Sequence, residues 1–145
     1  MPFVSITRLR LRSAWYLLPF MVHTTRSANQ LVRNSRFIKG KTLLDKHLTF
    51  WTMTLWNSEA DMRTYRNADA HKKAMPKLQI WCDEASIVHW QQDSEEYPEW
   101  QSAWEHLISG GRASKVKHPT AAHATLEFPS PRYSSRTERI LLPKK

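Results

Sequence analysis

"FWTMTLWNSEADM" spans Phe50 to Met62 and decides the fold. Trp51, Met53 and Leu55 alternate with Phe50, Thr52, Thr54 and Trp56, the period-two pattern of a strand with large apolar groups on both faces. The pattern stops at Asn57. Ser58 then offers a hydroxyl to the orphan amides of a new helix, and Asp61 follows three residues on. Glu59 and Asp61 suit the positive end of that helix. A strand that passes into a capped helix within two residues belongs to a compact α+β domain.

Working outward, Phe3–Leu11 alternates as a first strand, with Phe3, Ser5, Thr7, Leu9 and Leu11 opposite Val4, Ile6, Arg8 and Arg10. Leu17, Met21, Thr24, Ala28 and Leu31 share a helical stripe, which predicts a helix from near Leu18 to near Asn34 with Pro19 in its first turn. Phe37–Leu44 and Leu48–Trp56 form a hairpin across Asp45–His47. The helix opened by Ser58 is expected to break near Asn67–Asp69 and again at Pro76. Ala85–Trp90 reads as a fourth strand. A last helix follows Pro98, with Trp100, Trp104 and Leu107 on one face and Gly110 and Gly111 after its end.

The order βαββαβ is the ferredoxin-like arrangement, a four-stranded antiparallel sheet with helices on one face. The strands are apolar on both sides, so the open face needs a cover. Pairing two copies face to face would supply one. The expectation is therefore a homodimeric α/β barrel, with Phe50, Thr52 and Thr54 near the interface or the enclosed barrel.

The chain has 145 residues, room for one domain, and a net charge of +9. Residues 112–145 hold eight Lys/Arg and two Asp/Glu (8 − 2 = +6), against fourteen and eleven (14 − 11 = +3) in residues 1–111. The first 111 residues are read as the barrel domain with its C-terminal helix. The remainder, rich in Ser, Pro, Lys and Arg, is read as a basic mobile tail dispensable for folding. Leu126, Phe128, Ile140, Leu141 and Leu142 are its only possible anchors. No apolar run reaches the roughly 20 residues of a membrane span. The apolar stretch Ala14–Val22 is not read as a signal peptide, because a strand and not a charged leader precedes it. Cys82 is the only cysteine, so a reducing cytoplasm is the default. Phosphate loops, Cys/His metal spacings and nucleophile elbows are missing from the sequence.

"FWTMTLWNSEADMRTYRNADAHKKAM", with "FVSITRLRLRSAWYLLPF" and "DEASIVHW" on either side, resembles the antibiotic biosynthesis monooxygenase-like dimeric α/β-barrel superfamily, and within it the spheroidene monooxygenase-like branch. The resemblance covers roughly residues 3–92. It implies a small-molecule monooxygenase acting on an apolar, polycyclic or terpenoid substrate in a pocket between sheet and helices. It implies either no cofactor or haem. In the haem case His71 would be the axial ligand, and the arginines Arg8 and Arg10 could reach a propionate or another anionic group. The haem-degrading members carry an Asn on the first strand where this chain has Ser5 and Thr7, which argues against haem cleavage. Without a cofactor the base would be His71 or His89.

Each residue also has a plainer reading. Arg8 and Arg10 could be solvated where the first strand leaves the sheet. Trp56 and Tyr65 could be core rather than pocket wall. His89 could be a partnered core histidine. His89 and Trp90 lie on opposite faces of their strand, so at most one joins Trp56, Tyr65 and Phe50 around a substrate. Two other functions fit the same fold. One is a non-catalytic dimeric module that binds a metabolite or haem. The other is RNA binding, against which stands the missing aromatic octamer of RNA-recognition sheets.

Overall fold

The computed structural model describes residues 1–144, with the side chains of residues 69–71 excepted. The sheet core follows the alternation read above: β1 (Phe3–Leu11), β2 (Phe37–Asp45), β3 (Thr49–Trp56) and β4 (Cys82–Gln91). β1 is central and pairs antiparallel with β3 (Ile6 opposite Met53) and with β4 (Ile6 opposite Val88). α1 (Leu17–Val32), entered through a short 3-10 turn at Ala14–Tyr16, returns the chain to β2. α2 (Glu59–Arg66) starts where Ser58 accepts from the Asp61 amide at 3.2 Å. α3 (Asp69–Trp81) returns the chain to β4. The break between α2 and α3 falls where expected. Pro76 does not interrupt α3, which runs through it.

α1, α2 and α3 cover one face of the sheet. Phe3, Phe37 and Trp56 meet Leu31, Met62 and Tyr65 there, while Leu11 and Cys82 meet Phe20 further along. No helix among the described residues is long and apolar enough to cross a membrane.

The other face is where the structure departs from the sequence reading. Val4, Ile6, Leu43, Trp51, Met53, Leu55 and Val88 are covered by α4 (Trp100–Gly110) through Trp100, Ala103 and Leu107, and by Phe128. The segment expected to be a mobile tail is packed. β5 (Arg112–Ala113) pairs with β4, α5 (Ala121–Thr125) buries His123, and β6 (Glu138–Leu141) pairs with β2. The sheet order is β5-β4-β1-β3-β2-β6. Composition misled because few apolar residues do the docking. Phe128 is buried, and Leu126 and Leu141 pack at cluster edges. Hydrogen bonds supply the rest: Trp104 Nε1 donates to the Phe128 carbonyl at 2.8 Å, and Trp100 Nε1 to Glu138 at 2.6 Å. The argument for a face-to-face dimer rested on an uncovered face. That face is covered from within the chain, and Phe50, Thr52 and Thr54 point to the helical side.

Truncation after Gly111 therefore takes Phe128 out of the core cluster and off the Arg8 guanidinium, and Thr120 away from Glu84. Phe128→Ala alone should cost about 3 kcal/mol or more, and the truncation should lower the melting temperature by about 10 °C or more. Thermal unfolding followed by circular dichroism measures both; a truncated chain that melts with the full one would show the segment to be dispensable.

Candidate functional site

The structure separates the sequence candidates onto two faces. Trp56 and Tyr65 lie on the helical side as core. Trp56 is fully buried, its ring 5.5 Å from Phe37 and 5.3 Å from Tyr65. Its Nε1 donates to Thr54 Oγ1 at 2.9 Å. The Tyr65 hydroxyl donates to the Ser27 carbonyl at 3.0 Å, and burial pushes the phenol well above its usual range. These rings fill the junction between sheet and α2. His89 borders them, tilted against Phe3 at 5.3 Å. Burial first, then Arg66 and Arg112, hold its imidazole below the ordinary 6.5. Phe50 packs separately, 4.6 Å from Phe20. Trp90 faces the opposite side, stacked on His106 at 3.8 Å. The side chain of His71 lies outside the described residues.

Haem does not fit the donor set the sequence suggested. His71 belongs to α3, which packs on the helical face. Arg8 and Arg10 project from the other face, so the sheet itself stands between α3 and the proposed propionate contacts. Among the described residues no group of three or more His, Cys, Asp or Glu side chains could hold a metal. Cys82 is not a nucleophile either: burial, reinforced by Asp83, pushes its thiol up to about 12.

Arg8 and Arg10 are neither solvated nor waiting for a distant anion. Both remain in β1. Arg8 is only 4% exposed and its Nη1 lies 2.6 Å from Glu84 Oε1 on β4. Arg10 Nη1 reaches Glu84 Oε2 at 3.2 Å, and Thr120 donates to the same oxygen at 2.6 Å. The Arg8 guanidinium lies over the Phe128 ring at 3.9 Å. Burial alone would raise the Glu84 carboxyl, but the hydrogen bonds from Thr120 and Arg8 and the two positive charges outweigh it and hold it below its ordinary value. The Arg8 guanidinium is lowered by its burial, with Glu84 opposing.

This ion pair floors a cavity of about 440 Å³ between the end of the sheet and residues 122–132. Arg8, Arg10, Thr49 and Glu84 form its floor, Asp45 and His47 one side, and Phe128 and Arg132 the other. Two features mark it out. The buried Nε of Arg8 has no hydrogen-bond partner among the described residues. And His47 and Leu48, neither a glycine, both take left-handed backbone (φ 58 and 56) in the hairpin that brings His47 to the cavity. Such backbone costs about 1–2 kcal/mol per residue and tends to persist where a site uses it.

Sequence reasoning missed Glu84, Thr120, His47 and Arg132. A signal existed for Glu84: two arginines on one face of a central strand call for a carboxylate on a neighbouring strand, and "DEAS" opens β4. Thr120 and Arg132 gave none, because their segment was read as unstructured.

The architecture has solved counterparts. SnoaB from Streptomyces nogalater, described as a cofactor-independent oxygenase, matches with a TM-score of 0.54 at 16% identity, over 68% of this chain and 98% of its own. Rv0793 from Mycobacterium tuberculosis matches at 0.59 and 7% identity, over 67% and 100%. A structure described as an antibiotic biosynthesis monooxygenase matches at 0.57 and 7% identity, over 63% and 99%.

The chain shares its α+β fold with these proteins.

No family model matches the sequence, and no curated protein does. At these identities the likeness is one of fold.

The pH dependence of the ion pair follows from its sign. The folded carboxyl of Glu84 sits below its ordinary 4.5, so the pair's contribution is complete above that value and is lost as pH falls through the folded one. Glu84→Gln should cost about 3–5 kcal/mol at pH 7, because Arg8 is left buried without its counter-charge. That difference from the wild type should begin to shrink as pH drops below 4.5 and be lost below the folded value, where both carry a neutral side chain. Urea unfolding at pH 7 and pH 3 checks it; a difference independent of pH would deny the pair its role.

Proposed function

We propose that the protein is a monooxygenase-like small-molecule protein that works without haem and binds its substrate in the cavity above Arg8 and Arg10. The observation that carries this is the pair of arginines, Arg8 and Arg10, at the floor of that cavity. The Arg10 side chain is 35% exposed, so its guanidinium can meet a ligand oxygen there in a charge-assisted hydrogen bond. The ligand that suits the cavity is a ring compound with an acidic hydroxyl. Phe128, Ala122 and Pro129 offer it apolar contact, and the arginines stabilise the phenolate or enolate.

Such a substrate can carry its own electrons to oxygen. Loss of a ring proton gives a carbanion that adds O2. The peroxide then expels water and leaves a carbonyl, so CH2 plus O2 becomes C=O plus H2O with no outside reductant. The proton needs a base, and His47 is the imidazole among the cavity's lining residues. His89, on the helical side, is set aside. The fold shared with a cofactor-independent oxygenase supports the reading. The terpenoid substrates of the spheroidene monooxygenase-like branch belong to the same proposal, on the strength of "FVSITRLRLRSAWYLLPF" and "DEASIVHW". The chain's own C-terminal segment walls the cavity through Phe128, Pro129 and Arg132. A buried, unreactive Cys82 is consistent with a reducing cytoplasm.

Hydroxylated anthrones and their methyl ethers, titrated by tryptophan fluorescence and oxygen uptake, test this. Arg10→Ala should weaken binding of the hydroxylated compound about tenfold, the worth of one charge-assisted hydrogen bond. His47→Gly should raise stability by about 1 kcal/mol by relieving the left-handed backbone, while abolishing oxygen uptake. Binding untouched by either change would move the site elsewhere. Protein from haem-supplied cells should show no Soret band; one that disappears in His71→Ala would replace this reading with a haem protein.

A further inference from the structure

A second surface lies on the opposite side of the molecule and is independent of the cavity. Leu18, Met21, Val22, Thr25 and Arg26 follow one another at steps of three and one along α1, a single helical stripe, and all are exposed. Its inner residues Phe20, Leu31 and Val32 already bury the core face, so this stripe is a second apolar face. Leu18 is 75% exposed, and Trp15, in the turn that opens the helix, is 85% exposed. Met21, Val22, Thr25 and Arg26 line a shallow groove. α3 packs beside α1 and exposes Met75 and Ile80.

Past Asp69 at the start of α3, the charge on α1 and α3 has one sign. Residues 12–34 and 70–82 carry Arg12, Arg26, Arg33, Lys72, Lys73 and Lys77 and no Asp or Glu. None of these six forms a salt bridge among the described residues. Elsewhere the pattern differs: Arg63 on α2 pairs with Glu59, and Arg8, Arg10 and Lys41 have acidic partners. Unpaired cations flanking exposed Trp, Leu, Met and Val on a helix that lies flat against its domain are the makings of an interfacial helix.

We propose that the α1–α3 face docks on an anionic lipid surface, with Trp15, Leu18, Met21 and Val22 entering the headgroup region and the six cations meeting lipid phosphates and carboxylates. Charge complementarity selects this occupant. A second copy would set six cations against six of the same sign. RNA would satisfy the charge but would leave the aliphatic groups against a polar backbone. A bilayer with acidic headgroups satisfies both.

The test is sedimentation of the full chain with phosphatidylcholine vesicles, with and without phosphatidylserine. Binding is expected only to the serine-containing vesicles and should fall in high salt. Lys72→Glu with Lys73→Glu should weaken it at least tenfold, at about fivefold per cation removed. Trp15→Ser with Leu18→Ser should weaken it at constant charge. Because all four residues are exposed, the melting temperature should stay put, which separates lost docking from lost folding. Three results overturn the proposal: no binding by the wild type; binding that the serine variant leaves intact, which would assign the attraction to charge elsewhere; or a concentration-dependent dimer, or RNA binding, that the same serine variant abolishes.

Discussion

A guanidinium in the middle of a sheet sets the terms for the rest of this molecule. Arg8 sits on the central strand, pointing into the face where Val4 and Ile6 are fully buried. A charge so placed must be matched or the strand cannot pack. Glu84 matches it because the β1–β4 register slips between Arg10 and Leu11. Up to Arg10 the pairing is regular, with Arg10 opposite Glu84. Beyond it Leu11 stands opposite Cys82, and Asp83 is passed over. That one extra residue returns Cys82 to the helical core while keeping Glu84 among the arginines. Such bulges re-aim side chains in this way.

The ion pair in turn explains why the C-terminal segment docks. Thr120 fills one side of Glu84, and Phe128 lies flat on Arg8. His123 Nδ1 accepts from the Ala85 amide at 3.3 Å, one residue from the carboxylate. Each contact is small, and together they close the end of the sheet away from α4. They do not close it completely. The cavity that remains is floored by the two arginines and Glu84, which is why the chemistry is sought there and not among the well-partnered rings of Trp56 and Tyr65.

The sheet and its first three helices were legible because each rests on a local signal. The alternation of Phe3–Leu11 and Thr49–Trp56 and the cap at Ser58 each involve residues close in sequence. What was not legible depends on pairs far apart. Arg8 and Glu84 are 76 positions apart, Trp100 and Glu138 are 38 apart, and nothing local marks either pair. The same reason explains the Trp56 and Tyr65 reading. Aromatic residues at a strand end look alike whether they wall a pocket or fill one. Only the rings opposite them, Phe37 among them, decide the matter. Pro76 was read as a break because proline forfeits one helical hydrogen bond. In α3 that loss is absorbed, since Ala74 and Leu78 on either side hold the helix to the core.

The argument for a dimer from an uncovered sheet face gives way at one step that can be named. A sheet apolar on both faces does need two covers, and α1–α3 provide only one. The step from "a second cover" to "a second copy" assumed that residues 112–145 had nothing to offer. A single buried phenylalanine and four residues of β6 were enough to make the assumption wrong, because α4 had already covered much of the same face through Trp100, Ala103 and Leu107. Face-to-face pairing would now have to displace Phe128 and re-expose the Arg8 guanidinium beneath it. The cost of that exchange falls on the buried ion pair itself, so the constraint that organises the fold also determines which of its surfaces are free to meet anything else. The helical side, with its unpaired cations and exposed Trp15, is the one left open.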